Sequence, residues 1–189
     1  MKKNKKAKKR MMLLLLLLSA ALIITACFGF VSVMKTLYPI KYNDFVETYT
    51  SEYNLEKSFV FAVIKCESSF DKDAVSKVNA KGLMQIMPDT FTWLKTKTKE
   101  KLDEDMLFDP ETSVKYGCLL YRILIDRFGD EETAVAAYHA GLGNVGKWLK
   151  NSEYSDDGIH LKKIPFPSTE KYVENVMDAK AIYEKLYKI

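Results

Sequence analysis

The sequence predicts an all-α protein, a single, predominantly helical domain that follows an N-terminal transmembrane helix. Residues 11–34 contain no charged side chain, and a stretch of this length is enough to span a bilayer. In the remaining chain, apolar residues recur at three- and four-residue spacing, which is typical of amphipathic helices, and no convincing alternating strand pattern is found. The 189 residues are 48% hydrophobic, so we expect a packed core rather than disorder.

The first 34 residues fall into two predicted segments. Residues 1–10 form a basic tail with seven positive side chains, which predicts a cytoplasmic N-terminus and a single-pass anchor over residues 11–34. The apolar stretch is longer than that of a cleavable signal peptide, so we expect an uncleaved anchor. One alternative is a lipoprotein, because Ile24–Cys27 resembles a bacterial lipobox that would carry the lipid on Cys27. Full secretion is the other, and all three place the folded domain outside the cytoplasmic membrane.

The charge balance excludes a nucleic-acid surface on the folded part. The formal net charge is +4, from 29 basic and 25 acidic residues. Seven of the basic residues lie in the tail, and the 22 that follow are outnumbered by the acids. The basic excess therefore belongs to the tail and is no nucleic-acid footprint.

Residues 35–44 are predicted to be a tether, and residues 45–189 the helical domain. Asp109-Pro110-Glu111 combines an N-cap residue, a proline at the first helical position and an acid, which predicts a helix that Gly129 stops. Two more helices are expected from about Glu131 to Ala140 and from about Thr169 to Tyr187. The lysine- and threonine-rich stretch 91–104 is predicted to be a solvated surface segment.

Glu67 is a carboxylate on an apolar helical row. The stretch 58–70 reads SFVFAVIKCESSF, with Ser58 as the expected N-cap and Glu67 one turn beyond Ile64. Burial would favour the neutral carboxyl and raise its pKa, as general-acid chemistry requires. The alternative is that the row ends at Ile64 and Glu67 lies in solvent.

Four blocks occur in a recognisable order, and together they identify a resemblance. They are Glu67–Phe70 (ESSF), Gly82–Pro88 (GLMQIMP), Ala136–Gly141 (AAYHAG) and Pro165–Val173 (PFPSTEKYV). This order and spacing resembles the catalytic domain of soluble-lytic-transglycosylase-type (SLT) enzymes, the lysozyme-like cleavers of peptidoglycan. The resemblance covers roughly residues 45–187 and implies a lysozyme-like helical fold.

The resemblance implies an activity at Glu67. This residue matches the family's single catalytic acid, which then acts as a base while the sugar's C6 hydroxyl attacks C1 and a 1,6-anhydro-MurNAc end forms. It implies cleavage of the MurNAc–GlcNAc β-1,4 bond of peptidoglycan glycan strands, without a cofactor and by a monomer. The location implied is the bacterial cell membrane, with the catalytic domain on the extracytoplasmic side.

The resemblance also assigns substrate-binding positions. Ser76, Gln85 and Met87 match groups that line the sugar-binding cleft, Tyr138 matches the aromatic residue of the third block, and Tyr172 matches the tyrosine close to the catalytic carboxyl. Each has a structural alternative. Met87 and Tyr138 could belong to the core, Gln85 could be a helix-cap partner, and Ser76 could be a loop residue.

Two positions depart from the family pattern. His139 replaces the asparagine of the third block, and Ser168 replaces a frequent glutamate in the fourth. His139 is included among the substrate-binding candidates. If its ring lies near the cleft, protonation would lower the pKa of Glu67, whereas a ring that faces away would cap the helix end. His139 and His160 are the only histidines, so no metal site is expected.

Three further alternatives stay open. A water-using muramidase would need a second carboxylate, for which Asp71 and Asp73 are nearest in sequence. A catalytically weak peptidoglycan-binding assembly factor would need no chemistry. Cys66 and Cys118 could form a disulfide in an oxidising compartment, although we expect both to be small buried hydrophobes.

Overall fold

The computed structural model describes residues 2–189, and for residues 2–10 and Leu13 it describes the backbone alone. Within this part of the chain, eight α-helices and one 3-10 helix are present, and two isolated antiparallel bridges take the place of extended strands. The α-helices are α1 (Lys2–Leu37), α2 (Asn43–Tyr53), α3 (Lys57–Ser68), α4 (Pro88–Thr98), α5 (Pro110–Phe128), α6 (Glu131–Ala140), α7 (Leu142–Trp148) and α8 (Pro167–Tyr187), and the 3-10 helix is Glu104–Phe108. The predicted helical fold class is confirmed.

The chain divides into two compact units, one ending at Pro39 and one covering Ile40–Ile189. In the first unit, Leu14–Leu37 is a 24-residue helical stretch with a mean hydropathy of 2.6, long and apolar enough to cross a membrane. Met1 and the basic side chains of the predicted tail lie outside the described residues. The predicted tether at 35–44 is shorter in the structure, because α1 continues to Leu37 and α2 begins at Asn43.

Helix α3 is the centre of the second unit. All seven residues from Ser58 to Ile64 are buried, so this helix is surrounded by other elements. Phe61 stacks on Tyr183 of α8, with ring centroids 5.5 Å apart, and Phe59 meets Tyr121 of α5 edge to face at 4.8 Å. Helix α3 therefore presents its C-terminal end, which carries Glu67, between α5 and α8.

Helices α5 and α6 begin and end where the sequence predicts. Asp109 caps α5 by accepting a hydrogen bond from the Thr112 amide at 2.9 Å, and the helix ends at Gly129 in the left-handed conformation. Asp130 caps α6 in the same way, with the Thr133 amide 2.7 Å away, and α6 ends at Ala140.

Two local predictions are wrong. Ser58 is not the N-cap of α3, because the helix already begins at Lys57 and Ser58 is buried within its first turn. The stretch 91–104 is not simply a solvated segment, because its first half belongs to α4. Phe91 and Leu94 lie three residues apart on one face of that helix and are fully buried, while the surrounding lysines and threonines hid this short apolar row.

A close approach at Gly117 fixes the loop that follows α3. A Cβ atom added at Gly117 of α5 would lie 2.1 Å from the sulfur of Met84. The loop segment at Met84 can therefore reach α5 only where the helix has no side chain. Met84 itself is fully buried.

We predict that Gly117→Ala lowers the free energy of unfolding by about 1–3 kcal/mol, because the added methyl group overpacks this contact. Gly146→Ala in α7 is the matched control, since nothing lies within 4 Å of its Cβ position. That control should be neutral or stabilising by up to ~1 kcal/mol, as expected for alanine in a helix. Urea unfolding of both variants gives the measurement, and equal stabilities would contradict the packing account.

Candidate active site

Glu67 lies in the last turn of α3 and continues the buried row through Val60 and Ile64. Its side chain is half-buried, and the helix ends one residue later, with Ser69 in the left-handed conformation. The alternative that Glu67 lies free in solvent is therefore wrong. The end of the helix places the carboxyl at the edge of the core, where a substrate can still reach it.

Three tyrosines from three other helices surround this carboxyl. The Tyr172 hydroxyl of α8 donates to Glu67 Oε1 at 2.5 Å, and the Tyr121 hydroxyl of α5 lies 3.2 Å from that of Tyr172. Tyr138 of α6 stacks on Tyr121, with ring centroids 4.3 Å apart and ring planes 4° from parallel. While Glu67 is ionised, the single Tyr172 hydroxyl proton goes to the carboxylate, so Tyr121 then donates to Tyr172. The hydroxyl groups of Tyr121 and Tyr172 thus form a hydrogen-bonded chain that ends at Glu67.

The surroundings of Glu67 are poor in charge. Burial raises the pKa of Glu67 to about 7, and the hydrogen bond from Tyr172 lowers this pKa in part. Burial also holds the pKa values of Tyr121, Tyr138 and Tyr172 well above 10. The phenols therefore stay neutral, and near neutral pH the carboxyl exists in both protonation states.

Hydrogen bonds to the backbone of Leu83 and Met84 hold the loop before α4 against the site. The Ser68 hydroxyl donates to the Leu83 carbonyl at 2.9 Å, and the Tyr138 hydroxyl donates to the Met84 carbonyl at 2.5 Å. The Met84 amide donates to Ser113 Oγ of α5 at 3.2 Å. This loop is thus fastened to α3, α5 and α6 next to Glu67.

Ser76 and Gln85 both shape this loop. The Ser76 hydroxyl accepts the amide of Ala80 at 3.0 Å, and Gln85 Nε2 donates to the carbonyls of Ala74 and Gly82 at 3.0 and 2.9 Å. Gln85 has a positive φ of 48°. It therefore lies in a turn and does not cap a helix. Their contact with substrate stays a prediction, because these polar groups already order the loop.

Met87 is exposed, and His139 packs against a residue of the site. Met87 is 39% exposed, so the alternative that it fills the core is wrong. The His139 ring stacks on Tyr172 at 4.7 Å, and its Nδ1 is 2.9 Å from Thr169 Oγ1. His139 thus contacts Tyr172, the hydrogen-bond partner of Glu67. Desolvation of the packed side of the ring lowers the pKa of His139 below its usual value.

The other candidate groups are separate from Glu67. Asp71 and Asp73 are exposed, and Asp73 pairs with Lys72 at 2.7 Å. His160 pairs with Asp157 at 2.6 Å in the loop before α8. Among the described residues, no cluster of three or more histidine, cysteine, aspartate or glutamate side chains is arranged to hold a metal ion.

The cysteines are unpaired in this structure. Cys66, Cys118 and Cys27 are all free thiols, so the possible disulfide between Cys66 and Cys118 is not formed. Cys118 is fully buried and behaves as a small core side chain, as expected, while Cys66 is half-buried.

Tyr121 is the residue of this site that sequence reasoning did not assign to it. The sequence places Tyr121 on the apolar row of α5, where it reads as a core side chain. Its hydroxyl is what distinguishes it from phenylalanine, and only the fold brings that hydroxyl to Tyr172.

The helical domain of this chain is similar to known proteins. The family model described as Transglycosylase SLT domain matches residues 44–160. The soluble lytic murein transglycosylase of Escherichia coli K12 is 35% identical over 150 residues, which cover 77% of this chain and 23% of that protein. The membrane-bound lytic murein transglycosylase C of Edwardsiella ictaluri is 33% identical over 116 residues, covering 56% of this chain and 32% of the relative.

Solved structures show the same fold. The 70 kDa soluble lytic transglycosylase of Escherichia coli superposes with a TM-score of 0.72 at 33% identity, covering 80% of this chain and 25% of that one. An inactive mutant of the lytic transglycosylase Slt from Pseudomonas aeruginosa gives a TM-score of 0.71 at 31% identity, covering 78% and 24%. The chain thus spans about a quarter of the length of these larger relatives.

We predict that Glu67→Gln makes the protein more stable at alkaline pH but not at acidic pH. In the folded state Glu67 titrates near pH 7, whereas in the unfolded chain it titrates near ~4.5. Between these values the unfolded state has released a proton that the folded state retains. The wild type therefore loses about 3 kcal/mol of stability as pH rises through this window, relative to the glutamine variant.

The measurement is the difference in unfolding free energy between the two proteins from pH 4 to pH 8. Other titrating groups cancel in that difference, because both proteins contain them. A difference that does not change across the window would contradict the raised pKa of Glu67.

Proposed function

Because the chain belongs to the transglycosylase SLT domain family, we propose that it is a membrane-anchored peptidoglycan lytic transglycosylase. It cleaves the β-1,4 bond between MurNAc and GlcNAc in the glycan strand and leaves a 1,6-anhydro-MurNAc end. The relatives named lytic murein transglycosylases support this substrate class. The observation that carries the proposal is the isolated Glu67 carboxyl with a pKa raised to about 7.

Glu67 performs both proton transfers in this reaction. In its protonated form it donates to the glycosidic oxygen, so the C1–O4 bond breaks and GlcNAc leaves with a 4-hydroxyl group. The resulting carboxylate accepts the proton of the MurNAc C6 hydroxyl while that oxygen bonds to C1. The same residue returns to its protonated form, so no water and no cofactor are consumed.

A raised pKa suits a group that must act in both directions. A carboxyl with a pKa near the working pH loses little in either transfer, because neither protonation state is strongly disfavoured. Tyr172 stabilises the carboxylate stage by its hydrogen bond to Oε1. Activity is expected to fall as pH rises above about 7, where the proton-donating form of Glu67 is depleted.

The position of the other carboxylates favours this route over a water-using muramidase. A hydrolytic mechanism of that kind needs a second carboxylate across the bond to activate water. Asp71 and Asp73 are exposed. Asp71 accepts a hydrogen bond from the Asp73 amide, and the Asp73 carboxylate pairs with Lys72. Burial and Tyr172 are the causes of the Glu67 pKa shift, and no carboxylate of the described residues contributes.

We assign substrate contacts to the surface beside Glu67. Met87 offers exposed apolar area for a sugar face, and Tyr138 borders the carboxyl through its stack on Tyr121. Ser76 and Gln85 orient sugar hydroxyl and amide groups from the ordered loop. His139 stacks on the Tyr172 ring and supports it, and the enzyme acts as a monomer.

We predict that Glu67→Gln abolishes wall lysis, with a loss at or beyond the ~10²–10⁴-fold range of a general acid. Glutamine retains the shape of the side chain and can still accept the Tyr172 hydrogen bond, but it supplies no acidic proton. Purified cell walls digested by the full chain in detergent give the rate, and mass spectrometry gives the product. Asp73→Asn is the matched control and should lyse walls at the wild-type rate.

The product distinguishes the alternatives. A terminal 1,6-anhydro sugar is one water lighter than a hydrolysed end, so the lighter mass is expected. A hydrated end would replace the transglycosylase by a muramidase. Wall binding without lysis by the wild type would favour the assembly factor.

We further propose that the chain is anchored by its N-terminal helix, with the basic tail in the cytoplasm and the domain outside. The apolar span Leu14–Leu37 supports the anchor, and the seven positive charges before it support the orientation. The names of membrane-bound relatives are consistent with this location.

We predict that the membrane-extracted protein has the intact mass of the uncleaved chain. Cleavage is not expected, because the chain stays apolar well beyond Cys27. A mature form that starts at Cys27 and carries a diacylglyceryl group would contradict the anchor and establish a lipoprotein.

A further inference from the structure

Tyr121 carries a buried hydroxyl group that the mechanism above does not use. Its ring packs in the core, edge to face against Phe59 at 4.8 Å and stacked on Tyr138 at 4.3 Å, and phenylalanine could make both contacts. The side chain is fully buried, and burying a hydroxyl group costs free energy unless the group is hydrogen-bonded. Packing therefore explains the ring of Tyr121 but not its hydroxyl group.

Tyr172 is the one hydrogen-bond partner of this hydroxyl group within the described part of the chain, and the two oxygen atoms lie 3.2 Å apart. The neighbouring Tyr138 hydroxyl donates elsewhere, to the Met84 carbonyl. A phenol has a single proton to donate, and the Tyr172 oxygen is the acceptor within reach of the Tyr121 proton. Tyr121 must therefore donate to Tyr172.

This donation fixes the direction of the Tyr172 hydroxyl in both protonation states of Glu67. The Tyr172 proton cannot point at Tyr121, because the Tyr121 proton already lies between the two oxygen atoms. It points instead at Glu67 Oε1, to which Tyr172 donates at 2.5 Å. Oε1 is thus an acceptor even while the carboxyl is neutral, so the acidic proton is on Oε2.

We propose that Tyr121 is a positioning residue for the reaction at Glu67: by donating to Tyr172, it directs the Tyr172 proton to Oε1 and keeps the acidic proton on Oε2, the oxygen that protonates the glycosidic bond. The inference rests on the proposed function and adds a residue to it. Tyr121 also strengthens the Tyr172 donor, because hydrogen bonds in series polarise one another by about 10–30% per bond. The stronger donor stabilises the carboxylate that forms as the glycosidic bond breaks.

Titratable side chains from all four surrounding helices act on Glu67 or on Tyr172. They are Cys66 of α3, Tyr121 of α5, Tyr138 and His139 of α6, and Tyr172 of α8 itself. Burial raises the pKa of Cys66 to about 11 and holds those of the phenols well above 10, so these groups stay neutral. Desolvation lowers the pKa of His139, and variants that all retain His139 share its contribution.

The test is a double-mutant cycle on Tyr121 and Tyr172 in the full chain in detergent. Tyr121→Phe removes the hydroxyl group and keeps both ring contacts. Carbon-13 NMR gives the pKa of the Glu67 carboxyl, and lysis of purified walls gives kcat and KM. Tyr116→Phe is the matched control, because Tyr116 is also fully buried on α5 but donates its hydroxyl proton to Glu100, away from this site.

We expect Tyr121→Phe to raise the pKa of Glu67 by about 0.2–0.5, because it weakens the hydrogen bond to the carboxylate. Tyr172→Phe should raise this pKa by about 1–2, because it removes that bond. In the Tyr172→Phe background, Tyr121→Phe should change nothing further, since the connection to Glu67 is already broken. Tyr116→Phe should leave the pKa of Glu67 at the wild-type value.

The kinetic expectation separates positioning from substrate binding. Tyr121→Phe should lower kcat about twofold to fourfold at pH values below the Glu67 midpoint, because the developing carboxylate is less well stabilised. KM should not change, because Tyr121 is buried and does not reach the substrate. Tyr116→Phe should keep the wild-type kcat and KM.

Equal Glu67 pKa values in the wild type and Tyr121→Phe would overturn the proposal. The same pKa change with and without the Tyr172 hydroxyl would overturn it too, because Tyr121 would then act directly or through packing. A raised KM with an unchanged kcat would make Tyr121 a determinant of substrate binding and also contradict the proposal. The expected pKa changes in a wild type that does not lyse walls would refute the proposed function and leave the hydrogen-bonded arrangement standing.

Discussion

The structure depends on one constraint, the placement of a single carboxyl among neutral phenols at the edge of the core. Glu67 lies half-buried at the end of α3, and burial raises its pKa to about 7. Its hydrogen-bond partner is Tyr172, which is a neutral donor and not a cation. A lysine or arginine at that point would hold the carboxyl ionised, whereas a phenol orients it and leaves the proton available.

Much of the domain contributes to this placement. Helices α3, α5, α6 and α8 each supply one side chain of the group Glu67, Tyr121, Tyr138 and Tyr172. The loop before α4 closes the arrangement from outside, through the Met84 carbonyl that accepts the Tyr138 hydroxyl. Gly117 permits that loop to approach α5. A shift of any of these helices changes the surroundings of the carboxyl, so packing and chemistry are coupled.

The sequence predicted those features that leave local signals. The bounds of α5 and α6, and the apolar row that ends at Glu67, depend on residues close in the chain, and the structure contains them. It did not predict α4, because only Phe91 and Leu94 mark its buried face among lysines and threonines. The contact of Tyr121 with Tyr172 joins residues 51 positions apart, and helical periodicity carries no information at that range. The family resemblance placed Tyr172 near the carboxyl, but the roles of the site residues stay proposals.

The most direct test of this account is the titration of the Glu67 carboxyl in the folded chain. Carbon-13 NMR of the side-chain carboxyl, assigned by comparison with Glu67→Gln, gives its pKa in the absence of substrate. The account predicts a value of about 7. A midpoint near 4.5, the ordinary value of a solvated glutamate, would show that burial does not keep the carboxyl neutral, and would contradict its role as the proton donor.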